Sequence, residues 1–157
     1  MIRKIKIELL EGGVMPMKAT FGSAAYDVYI SKDVDMVLEY GERMAVPLGF
    51  KMELPQGLAA VIQPRSGFSL KGMAAREWDG SRGRRLNADV LIGLIDSDYR
   101  GEVHAIIRAN DSIAGTIPEG TRIAQMRIVT VPDTELVGGI VNGSGRGKDG
   151  FGSTGIR

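Results

Sequence analysis

Apolar and polar residues alternate along this chain over stretches of four to six positions, and each stretch breaks off at glycine, proline or aspartate. Ile5, Ile7 and Leu9 alternate with Lys4, Lys6 and Glu8, the two-residue period of a half-buried strand. Glu11-Gly12-Gly13 turns the chain. Tyr26 to Ile30, Arg43 to Pro47, Gly49 to Leu54 and Leu58 to Gln63 predict further short strands, the last stopped by Pro64. Pro47 marks a bulge or a sheet edge, because proline cannot donate to a strand ladder. Val90 to Ile95 runs into a polar turn and Val103 to Ile107 runs out of it, which predicts a β-hairpin at the end of a buried strand. Ile123 to Val131 follows the turn Ile117-Pro118-Glu119-Gly120 as a last strand. The helical period surfaces only briefly, from about Ser66 to Gly72. Many short strands with regular turns predict an all-β fold, an antiparallel barrel or jelly roll.

Two segments depart from this pattern. Met73 to Ala88 carries Arg76, Arg82, Arg84, Arg85, Glu77, Asp79 and Trp78, and reads as a solvated excursion between strands. Gly138 to Arg157 is rich in Gly and Ser and lacks the apolar content to pack on its own core, the composition of a mobile tail.

Composition narrows the function classes. A chain of 157 residues suits one domain with one core. Its 20 basic and 19 acidic residues leave a formal net charge of +1, which advertises neither nucleic-acid nor membrane binding through the overall field. With no cysteine, disulfides and thiolate metal sites are excluded, and a single histidine, His104, leaves no multi-histidine metal site. The alternating N-terminus is a strand and not a signal peptide, and no apolar run is long enough to span a membrane, so a cytoplasmic location is expected.

Five places could carry chemistry. Gly93-Leu94-Ile95-Asp96-Ser97-Asp98-Tyr99-Arg100-Gly101-Glu102 puts acids and a tyrosine between two glycines, and Asp96 follows apolar residues directly; it is either a turn former or a placed base. Gln63-Pro64-Arg65-Ser66-Gly67 ends a strand and opens a helix. With Ser66 as cap, it is either an ordinary N-cap beside a surface arginine or an anion site built from backbone amides and Arg65. In Gly120-Thr121-Arg122-Ile123-Ala124-Gln125, two long polar groups interrupt an apolar strand, facing solvent or a ligand. Arg146-Gly147-Lys148-Asp149-Gly150-Phe151-Gly152-Ser153-Thr154-Gly155 isolates one aromatic among glycines and hydroxyls, as in a tail that closes over a nucleotide; it lacks the Gly-Lys-Ser/Thr ending of a phosphate-binding P-loop. Asp27, amid small and apolar residues, either caps a turn or faces a water or cation.

Taken together and in this order, these segments resemble the signature set of the homotrimeric dUTPases (dUTP pyrophosphatases), over nearly the full chain. The resemblance implies a jelly-roll-like distorted antiparallel β-barrel of the dUTPase-like, β-clip kind, with one short helix after Pro-Arg-Ser-Gly. Residues 1–137 would form the catalytic barrel, and 138–157 an arm closing over a neighbouring subunit's site. It implies hydrolysis of dUTP to dUMP and pyrophosphate by water attack at the α-phosphorus, which keeps uracil out of DNA and supplies dUMP for dTMP synthesis. It further implies a homotrimer with shared active sites and Mg2+ bound mainly through the triphosphate.

Residue by residue, the likeness gives Asp96 the attacking water. Tyr99 would pack on the deoxyribose and leave no room for a 2′-hydroxyl, and the backbone around Leu91, Ile92, Gly93 and Ile95 would hydrogen-bond uracil. Cytosine reverses donor and acceptor there, which can cost a factor of about 10⁴ or more. Arg65, Ser66 and Gly67 would cradle the phosphates from a neighbouring subunit with Gln125 as a further contact, and Asp27 would hold a water on the magnesium. Arg146 would meet the γ-phosphate, Phe151 would stack on uracil, and Gly152, Ser153 and Thr154 would complete the phosphate nest. Two features depart from the family pattern. Ala25 stands where the first signature usually has glycine, and the 73–88 segment is longer than the usual link. The second suggests an alternative, a regulatory dUTPase-like protein that binds a partner through 73–88. The related dCTP deaminases place a catalytic glutamate where this chain has Ile106, which cannot shuttle protons.

Overall fold

The computed structural model describes residues 3–76, 83–144 and 147, and of Arg84 only the backbone. Within them the chain forms thirteen strands and one helix. The strands are β1 (Lys6–Leu9), β2 (Tyr26–Tyr29), β3 (Val34–Leu38), β4 (Arg43–Pro47), β5 (Phe50–Glu53), β6 (Leu58–Gln63), β7 (Met73–Arg76), β8 (Gly83–Leu86), β9 (Ala88–Leu91), β10 (Gly93–Ile95), β11 (His104–Ala109), β12 (Ile113–Ile117) and β13 (Arg122–Thr130), with α1 (Ser66–Lys71) between β6 and β7. They pair in four antiparallel sheets: β1-β5, β10-β6-β13-β2, β4-β11-β9 and β3-β12-β7-β8. The inward residues of alternating strands, Val28, Ile30, Phe50, Ile62, Ile107 and Ile123 among them, merge into a single buried cluster. This is the jelly-roll-like, nearly all-β architecture expected from the spacing of short strands and turns.

β4 and β6 fall on their expected limits, and Pro47 ends β4, an edge strand of its sheet. Proline costs nothing there because the edge needs no donor. Other expectations need correction. Ser66 is not the helix cap: Arg65 holds that position in extended conformation (φ −89°, ψ 144°), no side chain caps the first turn, and Ser66 is already helical. Val90 to Ile95 is not one strand of a tight hairpin. β9 pairs with β11 (Leu91 opposite Ile106), whereas β10 leaves that sheet and pairs with β6, Gly93 opposite Ile62 and Ile95 opposite Ala60. The chain changes sheets at Ile92. Nor is this stretch buried at its end, since Ile92 is 73% and Leu94 63% exposed.

The 73–88 segment is also more than a solvated excursion. β7 and β8 pair as a hairpin, β7 joins β12, and Met73, Ala75 and Leu86 are buried in the common core. Alternation of Met73 and Ala75 with Ala74 and Arg76 turns the charges outward on a two-residue period. Residues 77–82, with Trp78, lie outside the described residues. No helix among the described residues is long and apolar enough to cross a membrane.

Candidate active site

β6 is the ruler for the candidate residues, because one group stands at each of its ends. At its first end, Ile95 pairs with Ala60, so Asp96 leaves the sheet beside Ala59. Asp96 lines a cleft of about 710 Å³ together with Leu54, Gln56, Asp98, Arg100 and Asp133. Its carboxylate is exposed and makes no hydrogen bond or ion pair among the described residues.

The loop that carries Asp96 is tied down chiefly by bonds to its own backbone carbonyls. Tyr99 N–H donates to the Asp96 carbonyl at 3.2 Å, and Arg100 Nη1 donates to the carbonyls of Ser97 at 2.7 Å and Tyr99 at 2.9 Å. Tyr99 Oη donates to the Glu102 carbonyl at 3.0 Å, and Glu102 Oε1 in turn accepts from Gly49 N–H at 3.0 Å. Gly101 is required by this arrangement: a Cβ there would stand 2.3 Å from Tyr99 Oη. Gly93 is different. Among the described residues a Cβ at Gly93 would meet nothing closer than Ile62 Cβ at 3.9 Å, so none of them demands the glycine. β10 is also the last strand of its sheet, so one of its backbone edges has no strand partner among the described residues. Unpaired strand-edge donors and acceptors next to an undemanded glycine can take a planar hydrogen-bonding ligand.

At the other end of β6, β13 brings Gln125 opposite Gln63, and β2 brings Asp27 opposite Gln125. The Asp27 side chain is 15% exposed, and each of its oxygens takes one arginine: Arg65 Nε donates to Oδ1 at 2.9 Å and Arg122 Nη1 to Oδ2 at 3.3 Å. Arg65 also reaches the Arg122 carbonyl at 3.5 Å, and Gln125 Nε2 donates to the Pro64 carbonyl at 2.9 Å. These residues, with exposed Ser66 and Gly67, line a second cleft of about 390 Å³. Two guanidinium groups against one carboxylate leave the corner net positive, suited to an anion. Ala25 lines the same cleft, and Asp27 is held on its strand by Met17 through backbone bonds of 2.7 and 3.2 Å.

The structure therefore gathers Asp27, Arg65, Ser66, Gly67 and Gln125 at one place, and Asp96 and Tyr99 with β9 and β10 at another. From Ala59 to Arg65 along β6 the separation is roughly 15–20 Å at about 3.3 Å per residue, far beyond hydrogen-bond reach. Arg122 stood out in sequence with Gln125 as a polar interruption of an apolar strand but was given no role in the site, yet it completes the Asp27 corner. Its pairing depends on the β13–β2 register, which shifts between Arg122 and Ala124. Arg146, Phe151, Gly152, Ser153 and Thr154 lie outside the described residues.

The dUTPase family model matches residues 12–155 of this chain. The deoxyuridine 5'-triphosphate nucleotidohydrolase of Paramecium bursaria Chlorella virus 1 is 37% identical over 151 residues, covering 95% of each chain. Among solved structures, the Staphylococcus bacteriophage 80alpha dUTPase with dUpNHpp superposes with a TM-score of 0.77 at 24% identity, covering 99% of this chain and 100% of that one. A mutant dUTPase from phage phi11 of S. aureus, described with a structural Mg(II) ion, has a TM-score of 0.70 at 23% identity and covers 87% of this chain and 96% of that one. The chain belongs to the dUTPase family.

Proposed function

We propose that this dUTPase hydrolyses dUTP at sites shared between the subunits of a homotrimer, with Asp96 as general base. The observation that carries this reading is the split along β6: one chain holds the base and the other elements of a nucleotide site in two separate clefts. A second copy that sets its Arg65 corner against the first copy's Asp96 loop completes the site.

In that site Asp96 accepts a proton from water as the water oxygen attacks the α-phosphorus, and the bond to the β-phosphate bridge breaks to release pyrophosphate and dUMP. The free carboxylate of Asp96 suits a base, since no partner among the described residues competes for the proton. The free edge of β10, with Leu91, Ile92, Gly93 and Ile95, reads the uracil, and Tyr99 closes the space at the sugar C2′. Arg65, Ser66, Gly67 and Gln125 take the phosphates, where fixed positive charge stabilises the leaving group.

Magnesium, when bound, neutralises and orients the triphosphate. The residues fit such an ion: each Asp27 oxygen retains a lone pair beyond its arginine, enough to hold a water on a metal carried by the substrate. The segment after β13 supports an arm that leaves its own barrel. It has no regular structure from 131 to 144, and Leu136 and Ile140 are 98% and 99% exposed. Arg146, Phe151, Gly152, Ser153 and Thr154 would follow on that arm to the neighbouring site.

The test is pyrophosphate release from each deoxynucleoside triphosphate by the wild type and by Asp96→Asn. Selective dUTP turnover that the substitution abolishes supports the assignment, and equal turnover in both proteins ends it.

A further inference from the structure

One carbonyl oxygen beside the Asp96 loop has two donors. Tyr99 Oη donates to Glu102 O at 3.0 Å, and His104 Nδ1 lies 3.0 Å from the same oxygen. A carbonyl can only accept, so Nδ1 carries the proton, and the two lone pairs of Glu102 O are both filled. The Glu102 side chain pins the residue from the other side through Gly49 N–H. The half-buried His104 is the first residue of β11, paired with Pro47 of β4, so its ring springs from a position fixed by the sheet. Tyr99, by contrast, is 43% exposed and sits over Gly101, which offers no side chain. Its hydroxyl bond to Glu102 O is the tether that orients the ring, and His104 orients the tether.

We infer that His104 is a positioning residue for substrate selection: its Nδ1–H fixes the Glu102 carbonyl that holds Tyr99, and through Tyr99 it sharpens the preference for deoxyribose over ribose. The inference rests on the reading of Tyr99 as the sugar-facing group. His104 itself touches no substrate in this scheme.

Two readouts test it on the full-length enzyme. His104 is the only histidine of the chain, so one set of imidazole signals appears in a long-range ¹H–¹⁵N correlation spectrum. In alkaline buffer, with the ring neutral, the Nδ1–H tautomer is expected, and Tyr99→Phe shifts its signals. An Nε2–H tautomer overturns the inference. In kinetics, His104→Phe keeps a ring but removes the donor, whereas His104→Asn keeps an N–H donor near the Nδ1 position. Losing one hydrogen bond predicts that His104→Phe narrows the dUTP-over-UTP ratio of kcat/KM by roughly 3- to 10-fold, mainly through KM for dUTP, and that His104→Asn restores most of it. An unchanged ratio in His104→Phe, beside a changed ratio in Tyr99→Ala, overturns the inference. An unchanged ratio in Tyr99→Ala instead removes the sugar role of Tyr99, while the tautomer still judges the His104–Glu102 link.

Discussion

A candidate aspartate stands near each end of β6, and the two are held in opposite ways. At the Asp27 end the carboxylate is nearly buried and fully engaged, one arginine to each oxygen. At the Asp96 end the fixing bonds go to backbone carbonyls, from Tyr99 N–H and the Arg100 guanidinium, and the carboxylate is left without a partner among the described residues. The contrast suits the two tasks proposed for them. A charge that shapes an anion site must be held in place and need never change its proton. A base must be free to gain one, so its support has to come from groups that do not touch its oxygens.

That comparison can be broken most decisively at Asp96. Asp96→Asn is expected to lower kcat by about 10²–10⁴-fold, the usual contribution of a general base, while the thermal midpoint stays within a degree or so of wild type. A large loss of stability would mean the carboxylate is structural after all. Arg65→Ala should behave the other way. It removes the one charge-assisted bond, 2.9 Å long, that Arg65 makes to Asp27, so stability is expected to fall by about 2 kcal/mol and KM for dUTP to rise tenfold or more, as urea unfolding and steady-state kinetics will show. Gly101→Ala sharpens the view of the loop: its Cβ would meet Tyr99 Oη at 2.3 Å, displacing the ring. Discrimination against UTP is expected to drop roughly tenfold with a smaller effect on kcat, a loss comparable to one polar contact. The smallest effect is expected of Arg122→Lys. The Arg122 side chain is about half exposed and its bond to Asp27 is 3.3 Å, so the change should cost about 0.5 kcal/mol and raise KM less than threefold.

Much of the fold was legible because burial writes itself into a two-residue period. Leu58 to Gln63, an apolar run stopped by Pro64, and Arg43 to Pro47 were placed to the residue. β3, with Val34, Met36 and Leu38 turned one way and Asp35 the other, carries the same signal and was overlooked among its neighbouring charges. The arginines of 73–88 hid β7 and β8 for a related reason: outward charges dominate the composition while Met73, Ala75 and Leu86 do the packing. The switch of sheets at Ile92 left no trace, since a barrel corner needs no special residue when both flanking strands find partners.

At the site, residue types and spacings pointed to Asp96, Arg65 and Asp27, but not to which of them stand together. That depends on register. Arg122 reaches Asp27 only because β13 shifts by a bulge against β2, and the pairing of β10 with β6 sets Asp96 at the far end from Arg65. Ser66 was misplaced as a cap because the residue type suits that position, while the extended backbone at Arg65 decided it.

The central claim, a site divided between chains, is tested most directly by subunit complementation. Asp96→Asn and Arg65→Ala are each prepared as homo-oligomers, expected at substrate well below KM to turn over dUTP at about a tenth of the wild-type rate or less, then unfolded, mixed in equal amounts, refolded together and assayed at that substrate level. In a cyclic trimer with shared sites, random mixing rebuilds an intact Asp96–Arg65 site at about a quarter of all positions, so the mixture should regain about a quarter of the wild-type rate. A mixture that stays as slow as its parents, despite mixed oligomers by mass, would contradict the claim and place both residues' work within one chain.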